Sequence, residues 1–211
     1  MPRQVICISR LLGSGGVDVG RMVADSLNYR FVDEEIVQLA AESNGVSVEE
    51  LVDAERRTKV IDRLIRNLAL AGGGAALMST GAGATPVSAE MTDPKSLRAL
   101  IQRSIHETAE RGNVVIVSHG ASYALAGRDD VLRVLVTASA ETRTARAAQD
   151  GSLDQKKAAK AVADGDVERA SYLKRFYGIP NELPTHYDLA LNSDSLSIEA
   201  IRDLIVSAAS G

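Results

Sequence analysis

Residues 5–18 of the chain read VICISRLLGSGGVD, and they predict a strand, a glycine turn and the start of a helix. The first part, Val5 to Ile8, is apolar and mostly β-branched, which is typical of a buried strand in a parallel sheet. Four small residues then lead into a helical pattern over 17–27. Glycines let backbone N–H groups approach phosphate oxygens, and the N-terminus of a helix adds partial positive charge. The stretch therefore predicts a phosphate-binding turn.

The rest of the chain alternates between strand-like and helix-like segments. Further strands are predicted at 30–32, 114–117, 131–137 and 187–192, and further helices at 34–42, 47–68, 94–111, 140–149, 152–176 and 197–208. Residues 71–91 have little charge and no periodicity, and they predict a long loop. The alternation indicates an α/β fold, a three-layer arrangement of a parallel sheet with helices on both faces. Ligands bind such sheets at the carboxyl ends of the strands, so the loops after the first four strands are the expected places for a site.

Composition limits the class of protein. The chain has 211 residues and a net charge of −4, which predicts one domain and argues against a protein that coats nucleic acid. Its one cysteine, Cys7, excludes an internal disulfide and a zinc site built on cysteines. No apolar run reaches the roughly 18 residues of a membrane span, and the N-terminus lacks the apolar core of a signal peptide. We expect a cytoplasmic protein with no membrane or nucleic-acid partner, and these features set no oligomeric state.

The glycine turn departs from the P-loop pattern G-x-x-x-x-G-K-[ST]. Arg10 stands where the first glycine belongs, and Gly15 fits the second glycine. Gly16 stands where the lysine belongs, and Val17 replaces the serine or threonine. Three interpretations stay open: a phosphate loop, a tight strand-to-helix turn without a ligand, and a dinucleotide-binding turn of the form G-x-G-x-x-G.

The dinucleotide interpretation rests on Gly13 and Gly15, with Asp33 as the acidic residue some 20 positions further on. The third glycine of that pattern permits close packing of the helix against the strand, and Asp18 stands in its place. We therefore favour the phosphate loop. The expected nucleotide-binding residues are Gly13, Ser14, Gly15, Gly16, Val17 and Asp18.

A series of short motifs follows the predicted elements in order. They are Ile8-Ser9-Arg10 before Gly-Ser-Gly-Gly, Val19-Gly20-Arg21, Phe31 to Ile36, Gly112 to Val117, Val134 to Ser139 with Arg143 and Arg146 behind it, Asp166-x-x-Arg169, and Tyr187 to Asn192. Together they resemble the cytidylate-kinase-like family of P-loop proteins. The resemblance covers nearly the whole chain apart from the loop at 71–91.

The resemblance implies a fold of the P-loop nucleoside monophosphate kinase type. The single domain would comprise a core at 1–33, 112–146 and 183–211, a helical acceptor-binding insert at about 34–111, and a lid at about 147–182. The implied partner is a small-molecule nucleotide, with ATP and Mg²⁺ required, and the implied reaction transfers the γ-phosphoryl group of ATP to CMP, dCMP or a related monophosphate. Gly16, Val17 and His119 keep an alternative open: a catalytically impaired nucleotide-binding sensor or scaffold of the same fold.

Arginines are the expected catalytic residues, because phosphoryl transfer needs in-line positioning and cations on the migrating phosphate. Arg143 and Arg146 are three residues apart and share one face of a helix. Arg169 and Arg175 lie on the expected lid, and Arg10 is the candidate to replace the missing lysine. The alternative for the helix arginines is a solvated face that pairs with acidic neighbours.

Four residues are candidates for binding the acceptor or the metal. Asp33, at the carboxyl end of a strand, is expected to bind the acceptor or a metal, or else to cap the next helix. His119 stands where the family usually offers an arginine to the acceptor, and its alternative role is a hydrogen bond to the backbone. Because Val17 has no hydroxyl, Asp18 or Ser14 is expected to bind Mg²⁺.

The expected lid contains a long helical pattern over 152–176. A continuous helix of that length would span about 36 Å. We expect Ser152 to cap it in a capping box with Gln155, and we expect a break near Gly165, since a glycine inside a helix costs about 1 kcal/mol. Closure would carry Arg169 over the glycine turn. Arg169→Ala is then expected to lower turnover about 100-fold and to leave thermal stability nearly unchanged.

Overall fold

The computed structural model describes residues 3–33, 94–117, 120–149 and 154–211. By its contacts the chain divides into two compact units, 1–33 with 105–211 and 34–104. Several sequence-based expectations lie outside the described residues. These are the helices at 34–42 and 47–68, the loop at 71–91 and His119.

Within the described residues, strands and helices alternate as the sequence predicts. The strands are β1 (Val5–Arg10), β2 (Arg30–Val32), β3 (Val114–Val117), β4 (Val131–Thr137) and β5 (Leu189–Asn192). The helices are α1 (Gly16–Leu27), α2 (Pro94–Glu110), α3 (Ala121–Ala124), α4 (Ala140–Gln149), α5 (Gln155–Tyr177) and α6 (Ile198–Ser210), with a 3₁₀ turn at Pro184–His186. None of the described helices is long and apolar enough to cross a membrane.

The five strands form one parallel sheet in the order β2-β3-β1-β4-β5. β1 is central, because Val5 pairs with Val114 on one side and with Val131 on the other. The chain runs to the β3 side of β1 first and then crosses to the β4 side, so the strand order switches at β1. Ligands bind such sheets at the carboxyl ends of the strands beside the switch, which here is the glycine turn that follows Arg10.

Both faces of the sheet are covered, which confirms the predicted three-layer α/β fold. On one face, Ile6 and Ile8 pack with residues of α1 and α6 in a core cluster. On the other face, Cys7 and Ser9 are also buried, and the Ser9 Oγ lies 3.3 Å from the Ser122 Oγ of α3. Burial raises the pKa of the Cys7 thiol to about 12, which fits its expected place in the core.

Helix α1 lies unusually close to the sheet. A Cβ on Gly20 would lie 2.6 Å from Cγ2 of Val117 and 3.1 Å from Cε2 of Phe31. Interiors are packed too densely to absorb such an overlap without a shift of backbone or side chains. Glycine at position 20 therefore sets how near α1, and the turn before it, can approach the sheet.

Helix α5 is continuous, so the predicted break near Gly165 is wrong. The helix runs for 23 residues from Gln155 to Tyr177 and passes through Gly165. Its N-cap is Asp154, whose side chain accepts a hydrogen bond from the Lys157 N–H, so the predicted cap at Ser152 is also wrong. The helix ends at Tyr177, one residue beyond the predicted pattern, and its C-cap Gly178 adopts the left-handed conformation with φ 69°. The roughly 1 kcal/mol cost of one interior glycine is smaller than the stabilising free energy of the N-cap together with the tertiary contacts of both halves of the helix.

Candidate active site

The turn between β1 and α1 requires glycine for two reasons. Gly13 and Gly15 both have φ 79°, in the left-handed region that other residues rarely adopt. A Cβ on Gly13 would lie 2.6 Å from the carbonyl oxygen of Arg143, and one on Gly15 would lie 2.5 Å from Cδ1 of Ile198. The turn is therefore tightly packed between α4 and α6. Gly15 is the N-cap of α1 and no side chain caps this helix end, so its first N–H groups remain available at the end of the central strand.

Arg10 and Gly16 lie against each other at this turn. A Cβ on Gly16 would lie 2.6 Å from Cβ of Arg10 and 3.4 Å from its Cδ. The Arg10 guanidinium continues toward β2, where its Nη2 lies 3.9 Å from Oδ2 of Asp33. Within the described residues, Arg10 Nε and Asp33 Oδ1 are buried and have no hydrogen-bond partner. A cation and a carboxylate that the sequence predicted separately thus meet at the carboxyl ends of β1 and β2.

Ser14 lies inside the turn and is fully buried. Its N–H donates to the Leu11 carbonyl at 3.1 Å, and its carbonyl accepts from the Ser193 Oγ at 2.8 Å. Its own Oγ is buried and has no hydrogen-bond partner among the described residues. Buried hydroxyls are normally hydrogen-bonded, so this Oγ is suited to a ligand at the turn.

Arg146 contacts the glycine turn and Ser193. Its Nη1 donates to Ser193 Oγ and its Nη2 to the Ser193 carbonyl, both at 2.8 Å, and Nη1 also lies 3.5 Å from the Gly13 carbonyl. The sequence predicted Arg146 as a catalytic residue. In this structure its guanidinium is bonded to the chain's own oxygens and links the turn to the loop after β5.

Arg143 is the most buried of the predicted arginines, with 4% of its surface exposed. Its guanidinium forms two hydrogen bonds to the Asp166 carboxylate of α5, both 2.8 Å long. Its Nε donates to the Ala138 carbonyl at 3.1 Å, and its Nη1 lies 3.5 Å from the Leu12 carbonyl. Arg143 therefore ties the glycine turn to α4 and α5. This is the pairing that the sequence offered as the alternative to a catalytic role.

Arg169 belongs to a largely buried polar cluster with Glu182, Tyr187 and Tyr123. Its guanidinium donates to both Glu182 oxygens, at 2.7 and 2.6 Å, and both side chains are under a fifth exposed. Burial disfavours the charge on Glu182, but the hydrogen bonds from Arg169 outweigh it, so the pKa of Glu182 is lowered. The Tyr187 hydroxyl donates to the same carboxylate and lies 3.2 Å from the Tyr123 hydroxyl. Burial and the neighbouring Glu182 carboxylate raise the pKa of Tyr187.

The remaining predicted residues differ in where they lie. Val17 is half-buried and Asp18 is exposed, both in the first turn of α1. The Arg175 guanidinium lies 4.9 Å from the centre of the Phe176 ring, at the end of α5. His119 lies outside the described residues. Their roles as catalytic, nucleotide-binding or acceptor-binding residues stay predictions.

The oxygens at the turn fit a magnesium ion bound together with a nucleotide. Mg²⁺ is commonly held by one or two carboxylates plus substrate phosphates, so it needs few protein ligands. The described residues contain no group of three acidic, histidine or cysteine side chains placed to hold a metal. Among the described residues, the Asp33 Oδ1 and Ser14 Oγ atoms have no hydrogen-bond partner, and Asp18 adds an exposed carboxylate.

A profile of the cytidylate kinase-like family matches residues 5–195. The chain belongs to this family. It is 26% identical over 202 residues to a cytidylate kinase of Ignicoccus hospitalis, a match that covers 95% of this chain and 96% of the relative. It is 27% identical over 113 residues to a cytidylate kinase of Staphylothermus marinus, covering 54% of this chain and 63% of that protein.

The fold is also found in a crystal structure. An uncharacterized protein from Eubacterium ventriosum matches with a TM-score of 0.65 and 15% sequence identity, over 97% of each chain. Family membership confirms the predicted resemblance and supports a nucleoside monophosphate kinase-like protein that takes nucleotides.

The sequence did not indicate which residues hold the site in place. Ser193 and Glu182 contact the predicted arginines from segments far along the chain, and neither lies in a recognisable motif. Glu182 is 13 residues from Arg169, beyond the end of α5, so helical spacing carries no signal for the pair. The motif Asp166-x-x-Arg169 contains the partner of Arg143, but the sequence predicted that pairing on a solvated helix face, whereas Arg143 is buried.

Proposed function

We propose that this protein transfers the γ-phosphoryl group of ATP to a nucleoside monophosphate, with CMP or dCMP as the first acceptors to test. One observation carries the proposal: a glycine turn at the end of the central strand opens α1, and Arg10 and Asp33 meet beside it. Family membership supports a kinase of this type, and the identity of the relatives named cytidylate kinase supports testing cytidine nucleotides first.

The uncapped N–H groups of α1 would bind the β- and γ-phosphates of ATP, since they and the helix dipole favour anions. The Arg10 guanidinium would neutralise charge on the migrating phosphoryl group, where transfer needs electrostatic stabilisation more than covalent chemistry. Mg²⁺, held by Asp33 or Asp18 together with the phosphates, supplies further positive charge there. Ser14 would donate its unpaired hydroxyl to a phosphate oxygen.

The paired arginines act on this site through the backbone. Arg143 and Arg146 approach the carbonyls of Leu12 and Gly13, so they keep the turn in one conformation before the ligand arrives. A site that is organised in advance loses less free energy to reorganisation when charge develops. In this proposal 147–182 is the lid, with Arg169 and Arg175 on it, the insert at about 34–111 and His119 bind the acceptor, and the reaction takes place in the cytoplasm.

The test is a panel of acceptors with Mg-ATP, read by coupled ADP release. We expect turnover with CMP or dCMP above UMP and AMP, and we expect Asp33→Asn to lower it at least 10-fold. Asp25→Asn, an exposed aspartate of α1, is the matched control and should keep the wild-type rate. Turnover no higher than buffer with every acceptor would refute phosphoryl transfer, and equal rates with AMP and CMP would refute the cytidine preference.

A second function, a nucleotide-binding sensor without catalysis, is favoured by the pairing of the arginines. Arg143, Arg146 and Arg169 all bond to the chain's own oxygens in this structure. The sensor predicts ATP binding in calorimetry with no ADP formed for any acceptor. Measurable turnover with one acceptor would exclude it.

A further inference from the structure

We infer that Arg10 and Gly16 are a compensated exchange: the phosphate-binding cation is carried at the end of β1, and position 16 is glycine to leave room for its side chain. The inference rests on the proposed function, because it assigns the cation of the same site. It concerns two residues that occupy the positions of the first glycine and the lysine in the usual P-loop pattern.

The first step is the reason for glycine at position 16. Gly16 is the first residue of α1, and its φ lies outside the left-handed region, so any amino acid fits its backbone conformation. Space is the constraint instead, because a Cβ there would lie 2.6 Å from Cβ of Arg10. That Arg10 atom is fixed by the backbone of β1, which pairs with Val136 at this position, so it cannot rotate away. A lysine at 16 and the arginine at 10 are therefore incompatible without a shift of β1 or α1.

The second step is where the Arg10 charge lies. The stem crosses Gly16, and the guanidinium lies beside Asp33, with Nη2 and Oδ2 3.9 Å apart. That distance is too long for a hydrogen bond, and Nε is buried with no partner among the described residues. A buried donor without an acceptor is costly, and an anion at the turn would satisfy it.

The third step is the chemistry of the ligand. An arginine presents a planar fork of N–H donors that fits two phosphate oxygens, whereas a lysine offers a point charge. The uncapped N–H groups at the start of α1, beside Gly16, are donors to the same anion. Asp33 would position the guanidinium. The ligand is therefore a nucleoside triphosphate whose terminal phosphates lie between Arg10 and the start of α1.

The test is an exchange of the two residues. Arg10→Gly removes the cation, Gly16→Lys adds one into occupied space, and the double variant recreates the usual P-loop arrangement. Mg-ATP affinity is measured by calorimetry, thermal stability by circular dichroism, and transfer by ADP release. Gly16→Ala separates the steric effect from the charge, and Arg30→Ala, which removes an exposed arginine at the other end of β2, is the charge-matched control.

We expect Arg10→Gly to weaken Mg-ATP binding about 10- to 100-fold, the effect of losing hydrogen bonds to a charged group. Gly16→Lys and Gly16→Ala should lower the melting temperature in the wild-type background and lower it much less when residue 10 is glycine. The double variant should recover ATP affinity to within about 10-fold of wild type. Arg30→Ala should bind as wild type does.

Two results would overturn the inference: Arg10→Gly that binds ATP as tightly as Arg30→Ala, or a double variant that binds no better than Arg10→Gly. The proposed function is judged separately by transfer. A wild-type protein that binds ATP without phosphorylating any acceptor would refute the kinase, while recovery of affinity in the double variant would still support the exchange.

Discussion

Replacing Arg169 by alanine separates a structural role from a catalytic one. The guanidinium forms two hydrogen bonds to Glu182, at 2.7 and 2.6 Å, and the two side chains are 18% and 16% exposed. Removing Arg169 leaves a largely buried carboxylate whose hydrogen-bond partner among the described residues is the Tyr187 hydroxyl. Breaking a buried pair in this way costs about 3–5 kcal/mol.

Because both side chains keep some contact with solvent, we expect the lower end of that range, about 3 kcal/mol. At about 2–4 °C per kcal/mol for a chain of this size, the melting temperature should fall by roughly 6–12 °C. The assay is thermal unfolding near neutral pH, followed by circular dichroism and by calorimetry. Glu182→Gln in the Arg169→Ala background should recover part of the loss, since it removes the uncompensated charge.

Lys160→Ala is the matched control, because Lys160 and Asp164 form an exposed ion pair on the same helix. Such pairs contribute at most about 1 kcal/mol, so the melting temperature should change by no more than roughly 4 °C. An Arg169→Ala protein that melts like the wild type but transfers phosphate about 100-fold more slowly would refute the reasoning. It would restore the role that the sequence predicted, a lid arginine that reaches the substrate.

Three further predictions concern titration, packing and reactivity. The pKa of Glu182 is lowered in the folded state. Its pair with Arg169 therefore stabilises the folded protein fully at pH values above the ordinary glutamate pKa of about 4.3, and this stabilisation is lost as the pH falls through the lowered pKa. The difference in melting temperature between wild type and Arg169→Ala should therefore shrink below about pH 4, and a difference that grows there would contradict the pairing. Gly165→Ala should stabilise the protein by about 0.5–1 kcal/mol in denaturant titrations, because an added Cβ meets Leu12 at ordinary contact distances of 3.6 and 3.7 Å, whereas Gly20→Ala should destabilise it by about 1–3 kcal/mol. Cys7, whose pKa burial raises to about 12, should stay unmodified by a thiol reagent near pH 8 and react fully in guanidinium chloride; rapid reaction of the folded protein would contradict its burial.

The parts of the fold that the sequence predicted are those with strong local signals. β2 and β4 have the predicted bounds, and α4 begins at Ala140 and ends at Gln149 as predicted. Apolar, β-branched runs define buried strands, and Gly112 and Gly178 follow the ends of α2 and α5. These signals depend on neighbours in the chain, so they can be read without knowing the tertiary structure.

The predicted break in α5 was wrong because the prediction considered only a local preference. Gly165 lowers the helix propensity, but Asp154 caps one end and Asp166 is held by Arg143 from another helix. The second contact joins residues 23 positions apart, which no helical period indicates. Tertiary contacts of this kind decide between a broken and a continuous helix.

In the candidate site, too, features with local signals were predicted and features that depend on tertiary contacts were not. The glycine turn and Asp33 were found from the sequence, because a strand, small residues and a helix are contiguous there. Arg10 was predicted to replace the lysine that Gly16 lacks, but the steric contact between the two residues was not predicted, because it depends on the path of a side chain across a turn. The pairing of Arg143 and Arg169 with carboxylates depends likewise on the fold, so their residue types alone suggested phosphate binding.

The central position of β1 has a consequence for the order in which the molecule opens. Its amides and carbonyls bond to β3 on one side and β4 on the other, whereas β2 and β5 each have one neighbour. Fluctuations that release an outer strand leave β1 bonded, so its amides should exchange with deuterium only through global unfolding. Among the described residues, Val5 to Ile8 pair on both sides and should exchange most slowly, whereas Ser9 and Arg10 pair with β4 alone, so the glycine turn begins just beyond the most protected part of the sheet.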